Sequence, residues 1–183
     1  MMKIGLMGYG KAGKAVANVL ANDPRYQLCW VMRRSSSEQA HLEGQPQIPV
    51  VGLAGLDIGD WLDQHPVDAI VDFSQADSVY LYGQELRRRG IMLVSAISAY
   101  TPQHLDYLRE MGQDTRVMSS PNITLGINFL LLAAKLLRGI PPFADVEVVE
   151  QHFREKPEMS GTARKIAETL ALGGDRVTSL RVG

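Results

Sequence analysis

The chain has 183 residues, 45% of them apolar and 21% charged, which is enough to bury a core and suggests one domain or one and a fraction. Its 19 Lys and Arg residues against 20 Asp and Glu residues leave a formal net charge of -1, so no chain-wide field favours nucleic acid or a membrane surface. The single cysteine, Cys29, lies in the apolar run LCWVM, and one cysteine excludes an internal disulfide or a metal site built from several cysteines.

The first residues read directly as a strand, MKIGLMG, and lack the charged start, long apolar stretch and small-residue cleavage site of a signal peptide. The most apolar segment, INFLLLAAKLL, is bounded by Asn128 and by Lys135 and Arg138. It falls short of the ~18 to 20 apolar residues that span a bilayer. We therefore expect a cytoplasmic protein that acts on neither membranes nor nucleic acid.

Strands and helices alternate through the first two thirds of the chain. Strands are predicted over 3–8, 26–32, 48–52 (weakly), 67–74, 91–96 and 115–120. Helices are predicted over 11–23, 57–65, 76–90 and 101–112, and a mobile polar loop over 34–47. Gly90 is expected to cap the third helix, while Thr101 and Pro102 are the expected N-cap and first residue of the fourth. This alternation predicts a Rossmann-type α/β domain with a doubly wound parallel sheet over residues 1–122.

The pattern changes after Pro121. A long apolar helix is expected from residue 124 until Gly139 and the Pro141-Pro142 pair, followed by a half-exposed strand over 144–153. A helix from Ser160 and a last strand over 177–183 complete the chain. Residues 123–183 are therefore predicted to form a small, incomplete α+β domain.

The sequence GYGKAG places Gly8, Gly10 and Gly13 in a G-x-G-x-x-G arrangement between the first strand and the first helix. The first glycine allows the tight turn, the second lets the backbone approach a pyrophosphate, and the third lets the helix pack on the strand. The helix N-terminus then faces the negative charge. The strand before and the helix after the motif favour a dinucleotide site over a plain glycine turn.

The end of the second strand distinguishes the two nicotinamide cofactors. An NAD site usually has an acidic residue here, but this chain has Arg33, Arg34 and Ser35. Guanidinium groups bind a 2′-phosphate well, so we expect NADPH, with NADH possible but less favoured. Under this hypothesis, Arg33→Asp removes the preference for NADPH. The alternative is that the arginines only begin a solvated loop.

Residues 148–165 read VVEQHFREKPEMSGTARK. This segment resembles the E-x-H-H-x-x-K…S-G-T-A signature of the dihydrodipicolinate reductase family, NAD(P)H-dependent enzymes of the lysine and diaminopimelate pathway. In the same order, GYGKAGKAV resembles the family's G-x-x-G-R-M-G loop, VDFS its D-F-T strand end, and SSPNITLGIN its A-P-N-F-S-x-G-V-N segment. The likeness extends over essentially the whole chain from Lys3 onward.

The resemblance implies a role for each matching residue. His152 matches the proton donor and Lys156 the catalytic lysine, while Gly161 and Thr162, with Ser160 before them, match the substrate-carboxylate site. The glycine motif and the resemblance together give a cofactor set of Gly8, Gly10, Lys11, Ala12, Gly13, Arg33, Arg34, Phe73, Ala96, Ser98, Ser120, Pro121, Asn122 and Ile123. No metal is expected. In this family the second domain also builds a homo-oligomer, so a homo-oligomer is expected if that domain is functional.

The chemistry explains this set of residue types. Reduction of a cyclic imine dicarboxylate needs a hydride, a proton and positive charge for the carboxylates. A histidine can give a proton near neutral pH, and Lys156 can supply charge or a proton. With Ser160 as the N-cap, the amides of Gly161 and Thr162 begin a helix, where an anion is favoured.

The chain departs from the family pattern at three places. Phe153 stands where the family has a second histidine, and the segment between Lys156 and Ser160 is one residue shorter. The family's G-T-T-G-F loop is AISAY (96–100) here, which lacks both glycines. The chain also stops where family members usually continue, so we expect either a truncated product or a C-terminally shortened member of the family.

Three functions remain open from the sequence. The first is NADPH-dependent reduction of a dihydrodipicolinate-type substrate. The second is a related NADP-dependent imine or amino-acid dehydrogenase with another substrate, marked by Phe153 and AISAY. The third is a protein that binds NADPH without catalysis.

Overall fold

The structure is a computed structural model that describes residues 1–34, 40–156 and 158–183. It divides into two compact units, Met1–Pro121 (unit 1) and Asn122–Gly183 (unit 2). Residues 35–39, which include Ser35 and belong to the predicted polar loop, lie outside the described residues, as does Pro157.

Unit 1 is an α/β unit around one sheet. Its strands are β1 (Met2–Met7), β2 (Tyr26–Arg33), β3 (Ala40–Leu42), β4 (Gln45–Gly52), β5 (Ala69–Asp72), β6 (Met92–Ser95) and β7 (Val117–Ser119). Its helices are α1 (Lys11–Asn22), α2 (Ile58–Gln64), α3 (Ser78–Arg89) and α4 (Pro102–Met111). All ten elements predicted for this part of the chain are present.

The seven strands are ordered β3-β4-β2-β1-β5-β6-β7. Every neighbouring pair is parallel except β3 with β4. From β1 the chain first moves outward through β2 to β4, and then returns to add β5, β6 and β7 on the other side. This is the doubly wound order in which ligands bind beyond the carboxyl ends of the strands beside β1.

One sequence prediction is wrong in part. Residues 40–47, expected to be loop, belong to an antiparallel pair in which Ala40 lies opposite Val50 and Leu42 opposite Gln45. The polar segment still buries apolar side chains, because Leu42 and Ile48 are 6% and 5% exposed and pack in the core. The chain reverses at Gly44, whose φ of 73° lies in the left-handed region. The sequence predicted a loop here but no reversal between paired strands.

The core of unit 1 consists of two clusters, one on each face of the sheet. On one face, Leu6 of β1 and Val31 of β2 pack with Ala17 of α1. On the other face, the neighbouring residue Trp30 packs in a cluster with Tyr82 of α3. Adjacent strand residues point to opposite faces, so the near-continuous apolar runs of β1 and β2 cover both sides.

Helix ends in unit 1 follow the expected capping. Gly90 ends α3 in the left-handed region, and Thr101 precedes Pro102 at the start of α4. The structure adds His104, whose Nδ1 accepts from the amide of Thr101 at 3.3 Å and whose Nε2 lies 3.0 Å from Asp77 Oδ1. The buried imidazole therefore replaces the acidic residue of a usual capping box.

Unit 2 contains α5 (Leu125–Gly139), β8 (Val148–Phe153), α6 (Gly161–Thr169), a short 3-10 turn (Gly174–Arg176) and β9 (Val177–Val182). The two strands are parallel, with His152 opposite Arg181 and Phe153 opposite Val182. Ala163, Ala167 and Leu170 are the buried apolar residues at α6. The strand expected over 144–153 begins only at Val148.

Apolar side chains are exposed over much of unit 2. None of the residues of α5 is buried within the described structure. Phe129 and Leu136 of that helix are 69% and 65% exposed, and Val149 and Phe153 of β8 are 62% and 63% exposed. Within the described ranges, no helix combines the length and the apolar character that crossing a membrane requires.

Candidate functional site

The glycine motif forms a tight turn between β1 and α1. Gly8 has a φ of 95°, and a Cβ atom on it would lie 2.6 Å from the backbone carbon of Phe73. A Cβ on Gly13 would lie 2.0 Å from the carbonyl oxygen of Gly8. Side chains are therefore excluded at both positions, by backbone conformation and close packing at the first and by packing alone at the second.

Gly10 differs from the other two glycines of the motif. No described atom lies within 4 Å of the place where its Cβ would be, so the space beside it is open. Gly10 is the N-cap residue of α1, and no side chain of the described residues caps that helix end. The first amides of α1 thus border open space, which is what an approaching pyrophosphate needs.

This helix start borders a cleft of about 710 Å³ beyond the carboxyl ends of β4, β2, β1 and β5. Of the predicted cofactor residues, the lining includes Gly8, Gly10, Arg33, Arg34 and Phe73. The sequence did not single out the other lining residues, which are Tyr9, Lys14, Met32, Leu53, Ala54, Ser74, Gln75, Ser78 and Leu81. Lys14 could have been found, since it lies one turn into the helix that the motif begins.

Two arginines lie at the end of β2, as expected. Arg34 is exposed, and its Nη2 donates to Oε1 of Gln75 in the turn after β5. Arg33 is half-buried, and its carbonyl oxygen accepts from the amide of Leu53 at 2.9 Å. Both side chains line the cleft, where they add positive charge near the ends of β2 and β5.

The turn after β5 is held by the buried carboxylate of Asp72, which belongs to the VDFS motif but was given no role from the sequence. Asp72 Oδ1 accepts from the amide and the hydroxyl of Ser74, at 2.8 and 2.5 Å. Its Oδ2 accepts from the hydroxyl of Tyr82. Burial raises the pKa of Asp72, and burial likewise raises the pKa of Tyr82 well above its ordinary value. The signal available in the sequence was an acidic residue at the end of the apolar run AIVD.

The Asp72 cluster continues toward the end of β6. The hydroxyls of Tyr100 and Ser95 lie 2.8 Å apart, and burial raises the pKa of Tyr100 to about 12. Tyr100 belongs to the AISAY segment, which departs from the family pattern. Ala96 is held by a hydrogen bond from its amide to the carbonyl of Asp72 at 2.9 Å. This segment is therefore fixed by polar contacts that the sequence pattern does not show.

Nine of the predicted cofactor residues do not line the cleft: Lys11, Ala12, Gly13, Ala96, Ser98, Ser120, Pro121, Asn122 and Ile123. The first three belong to the start of α1, and Gly13 is buried there. Ala96 and Ser98 follow β6, and Ser120 follows β7, at the same carboxyl edge of the sheet. Ser120 donates its amide to the carbonyl of Ser95 at 2.8 Å.

In unit 2 the predicted proton donor is bonded to a buried acid. Nδ1 of His152 contacts Oε2 of Glu150, two residues earlier on the same face of β8. Oε1 of Glu150 accepts from Ser179 Oγ at 2.6 Å and from Arg181 Nη1 at 3.0 Å, and from the amide of Ser160 at 3.4 Å. The Ser179 hydrogen bond is the largest of the contacts that lower the pKa of Glu150 to about 2.

Arg181 also fixes the loop that contains the predicted catalytic lysine. Its Nε donates to the carbonyl of Lys156 at 2.8 Å, and its Nη2 donates to the carbonyl of Glu158 at 2.7 Å. Glu150 and Arg181 thereby join the donor histidine, the lysine loop and the last strand in one network. Sequence reasoning named neither residue, although Glu150 belongs to the quoted signature.

The helix that begins after Ser160 has the expected start. Ser160 is its N-cap residue, but within the described structure its side chain makes no capping hydrogen bond. Glu150 accepts from the amide of Ser160, so it is the next amides, of Gly161 and Thr162, that the Ser160 side chain leaves to an outside acceptor. Thr162 donates its hydroxyl to Oδ1 of Asn122 at 3.3 Å. That contact joins Asn122, predicted as a cofactor residue, to a residue predicted to hold the substrate.

Phe153 lies on the other face of the two-stranded sheet from His152. Side chains alternate along a strand, so Phe153 shares its face with Val149 and with Val182, its partner on β9. The ring is 63% exposed. The aromatic replacement thus leaves the Glu150–His152 contact undisturbed and adds to the exposed apolar face.

Strand order, glycine turn and cleft define a Rossmann-type nucleotide-binding unit, and the fold is that of the nucleotide-binding domain of NAD(P)H-dependent reductases. Residues 2–123 match the family model described as "Dihydrodipicolinate reductase, N-terminus". The chain belongs to the dihydrodipicolinate reductase family.

Sequence relatives carry the same family name. The chain is 35% identical over 116 residues to 4-hydroxy-tetrahydrodipicolinate reductase of Myxococcus xanthus. The aligned region covers 61% of this chain and 43% of the relative. It is 26% identical over 180 residues to the protein of that name from Nitrosomonas europaea, covering 91% of this chain and 63% of the relative. The chain thus spans less than two thirds of the length of these curated relatives.

The fold comparison agrees over the whole chain. Dipicolinate-bound dihydrodipicolinate reductase from Paenisporosarcina sp. TG-14 superposes with a TM-score of 0.73 at 20% identity. The match covers 100% of this chain and 79% of that one. At this identity the similarity establishes the fold.

Proposed function

We propose that the chain is an NADPH-dependent reductase of a cyclic imine dicarboxylate of the dihydrodipicolinate type, acting in lysine and diaminopimelate biosynthesis. One observation carries the proposal: in unit 2, Glu150 contacts both the imidazole of His152 and the amide of Ser160, at the start of α6. A proton donor and an anion-holding helix start therefore share one buried partner. Family membership and the relatives' names support the same activity.

Unit 1 supplies the proposed cofactor site. The open space beside Gly10, the uncapped start of α1 and the basic side chains of Lys14 and Arg34 fit a dinucleotide phosphate. When bound, the cofactor supplies the hydride. Arg33 and Arg34 would hold the 2′-phosphate, which is the basis for favouring NADPH over NADH. The remaining predicted residues after β6 and β7 would line the nicotinamide half.

Unit 2 supplies the proposed substrate residues. The amides of Gly161 and Thr162 would hold one carboxylate at the start of α6, and the Thr162 hydroxyl would add a hydrogen bond. Lys156 would supply positive charge for the second carboxylate. His152 would give the proton that neutralises the carbon next to the reduced one. No metal takes part in this scheme.

The activity is tested by a coupled assay in which the unstable substrate is generated in place and NADPH absorbance is followed. We expect NADPH oxidation, and a fall in kcat by ~10²- to 10⁴-fold in His152→Ala, the typical effect of losing a general acid. Lys156→Ala should also be strongly impaired. Lys165→Ala is the control, because that lysine is exposed on α6 and pairs with Glu168 at 3.3 Å. No oxidation above background by the unmodified protein would contradict the proposal.

Two departures from the family pattern favour a second candidate. Phe153 replaces a family histidine, and AISAY replaces the glycine-containing loop, with Tyr100 bonded to Ser95. Both are compatible with a related NADP-dependent imine or amino-acid dehydrogenase. Activity only toward other imines would support it, whereas NADPH binding without any activity would indicate a non-catalytic protein.

A homo-oligomer is part of the proposal. The apolar residues exposed on α5 and on the Val149–Phe153 face of β8 would be covered by a second copy of the chain. Sedimentation should then report an oligomer, and Phe129→Glu should shift it toward the monomer. A monomer at all accessible concentrations would contradict this part.

A further inference from the structure

Glu150 is the most highly connected buried acid of unit 2. The whole residue is 8% exposed. Its two carboxylate oxygens contact His152, Ser179, Arg181 and the amide of Ser160. A buried carboxylate with this many charged and polar partners is held in one position. The family resemblance assigns it no role.

We propose that Glu150 is the positioning residue of the proton donor: it holds the imidazole of His152 with Nδ1 protonated, so that the proton given to the substrate leaves from Nε2. The inference rests on the proposed function for its catalytic meaning. Its geometric content, the tautomer of His152, stands independently of any activity.

The donor and acceptor roles follow from the chemistry of the two groups. The hydrogen-bonded contacts keep Glu150 ionised at neutral pH, since they lower its pKa to about 2. An ionised carboxylate can only accept, so Nδ1 must be the donor. When Nε2–H breaks and the proton forms a C–H bond on the substrate, the ring that remains is the neutral Nδ1–H tautomer. Glu150 thus stabilises both charge states in one orientation.

Arg181 sets the charge balance around this ring. It is opposite His152 in the β8–β9 ladder and bonds Glu150 at 3.0 Å. A cation there disfavours a positively charged imidazole, and the Glu150 carboxylate compensates for it. Among the described residues, the charged side chains bonded to one another in this network are Glu150 from β8 and Arg181 from β9. Removing the carboxylate charge would therefore leave Arg181 without its ionic partner beside the ring.

The tautomer is measured directly by two-bond ¹H–¹⁵N correlation of the histidine rings, with His152 assigned by comparison with His152→Gln. At a pH where the ring is neutral, we expect Nδ1 to be the protonated nitrogen in the unmodified protein. In Glu150→Gln the amide can donate or accept, so both tautomers should be populated. A neutral His152 that carries its proton on Nε2 in the unmodified protein would overturn the inference.

Kinetics test the consequence. Glu150→Gln should lower kcat at least about tenfold. This loss should not exceed the loss in His152→Ala, which removes the general acid itself. NADPH affinity should not change, because Glu150 lies in unit 2 and is not among the described residues that line the cofactor cleft of unit 1. Glu147→Gln is the matched control, because Glu147 is exposed just before β8, bonds Thr178 and should stay within about twofold of wild type.

The outcomes separate this inference from the proposed function. A folded Glu150→Gln variant with wild-type kcat would overturn the positioning role. If the unmodified protein has no activity, the proposed function fails, but the ring correlation still decides the tautomer. If Glu150→Gln does not fold, the spectrum of the unmodified protein decides alone.

Discussion

Replacing Gly13 and Gly10 separately with alanine should divide the two roles of the glycine turn. At Gly13 the new Cβ would lie 2.0 Å from the carbonyl oxygen of Gly8, far inside the 3.4 Å at which ordinary contact begins. To reach an ordinary contact distance, the start of helix α1 must move away from the Gly8 carbonyl by roughly 1 Å or more. Overpacking of this kind costs about 1 to 3 kcal/mol.

Gly10 should respond differently. No described atom is within 4 Å of its added Cβ, and its φ of -76° is allowed for any residue. Alanine is a poorer N-cap than glycine by well under about 1 kcal/mol. The methyl group would, however, occupy the space that a pyrophosphate must enter. Binding should weaken while the apoprotein keeps its stability.

Thermal unfolding and NADPH titration measure the two effects on the same preparations. At about 3 °C per kcal/mol for a chain of this size, Gly13→Ala should lower Tm by roughly 3 to 9 °C. Gly10→Ala should shift Tm by no more than about 2 °C and weaken NADPH binding at least about tenfold, equivalent to ~1.4 kcal/mol. The reasoning is refuted if Gly10→Ala binds NADPH as wild type does, or if it unfolds as early as Gly13→Ala.

Three further predictions concern charged and buried polar groups. Arg34→Asp should weaken NADPH binding by about 10- to 100-fold and leave NADH binding nearly unchanged, because a charge-assisted hydrogen bond contributes ~1.5 to 3 kcal/mol; an unchanged affinity ratio, with Arg88→Asp as control, would contradict it. Tyr82→Phe should destabilise the protein by about 1 to 3 kcal/mol, because Asp72 loses a buried donor; chemical denaturation measures this loss, and an unchanged midpoint would argue against the contact. Glu150 has its pKa lowered to about 2 from an ordinary 4.5, so its stabilising effect is complete above pH 4.5 and is lost as the pH falls toward 2. Unfolding of the wild type should therefore depend more steeply on pH in this window than unfolding of Glu150→Gln, and equal slopes would exclude that role.

Much of the fold could be predicted because its signals are local. Strands β1, β2, β5 and β6 are short apolar runs bounded by turn residues, and the helix caps at Gly90 and Thr101 act within a few residues. The glycine spacing predicted the position of the cleft, because the tight turn between the first strand and the first helix of this fold needs glycine at these positions. The hairpin at 40–52 was only half predicted, because its first strand has just three residues in an otherwise polar segment and depends on pairing with β4.

The candidate site was less predictable because its contacts are long-range. The sequence alone indicated His152, Lys156 and the helix start at Ser160 as separate features in order along the chain. Glu150 and His152 are only two residues apart, but the partners that hold Glu150 in place come from the parallel pairing of β8 with β9, which brings Ser179 and Arg181 to the acid from 29 and 31 residues away. That Phe153 faces away from this network follows from the alternation of side chains once the strand is formed. Local periodicity thus determined the elements, whereas strand pairing determined which polar groups meet, because hydrogen bonds between distant segments exist only after the chain has folded.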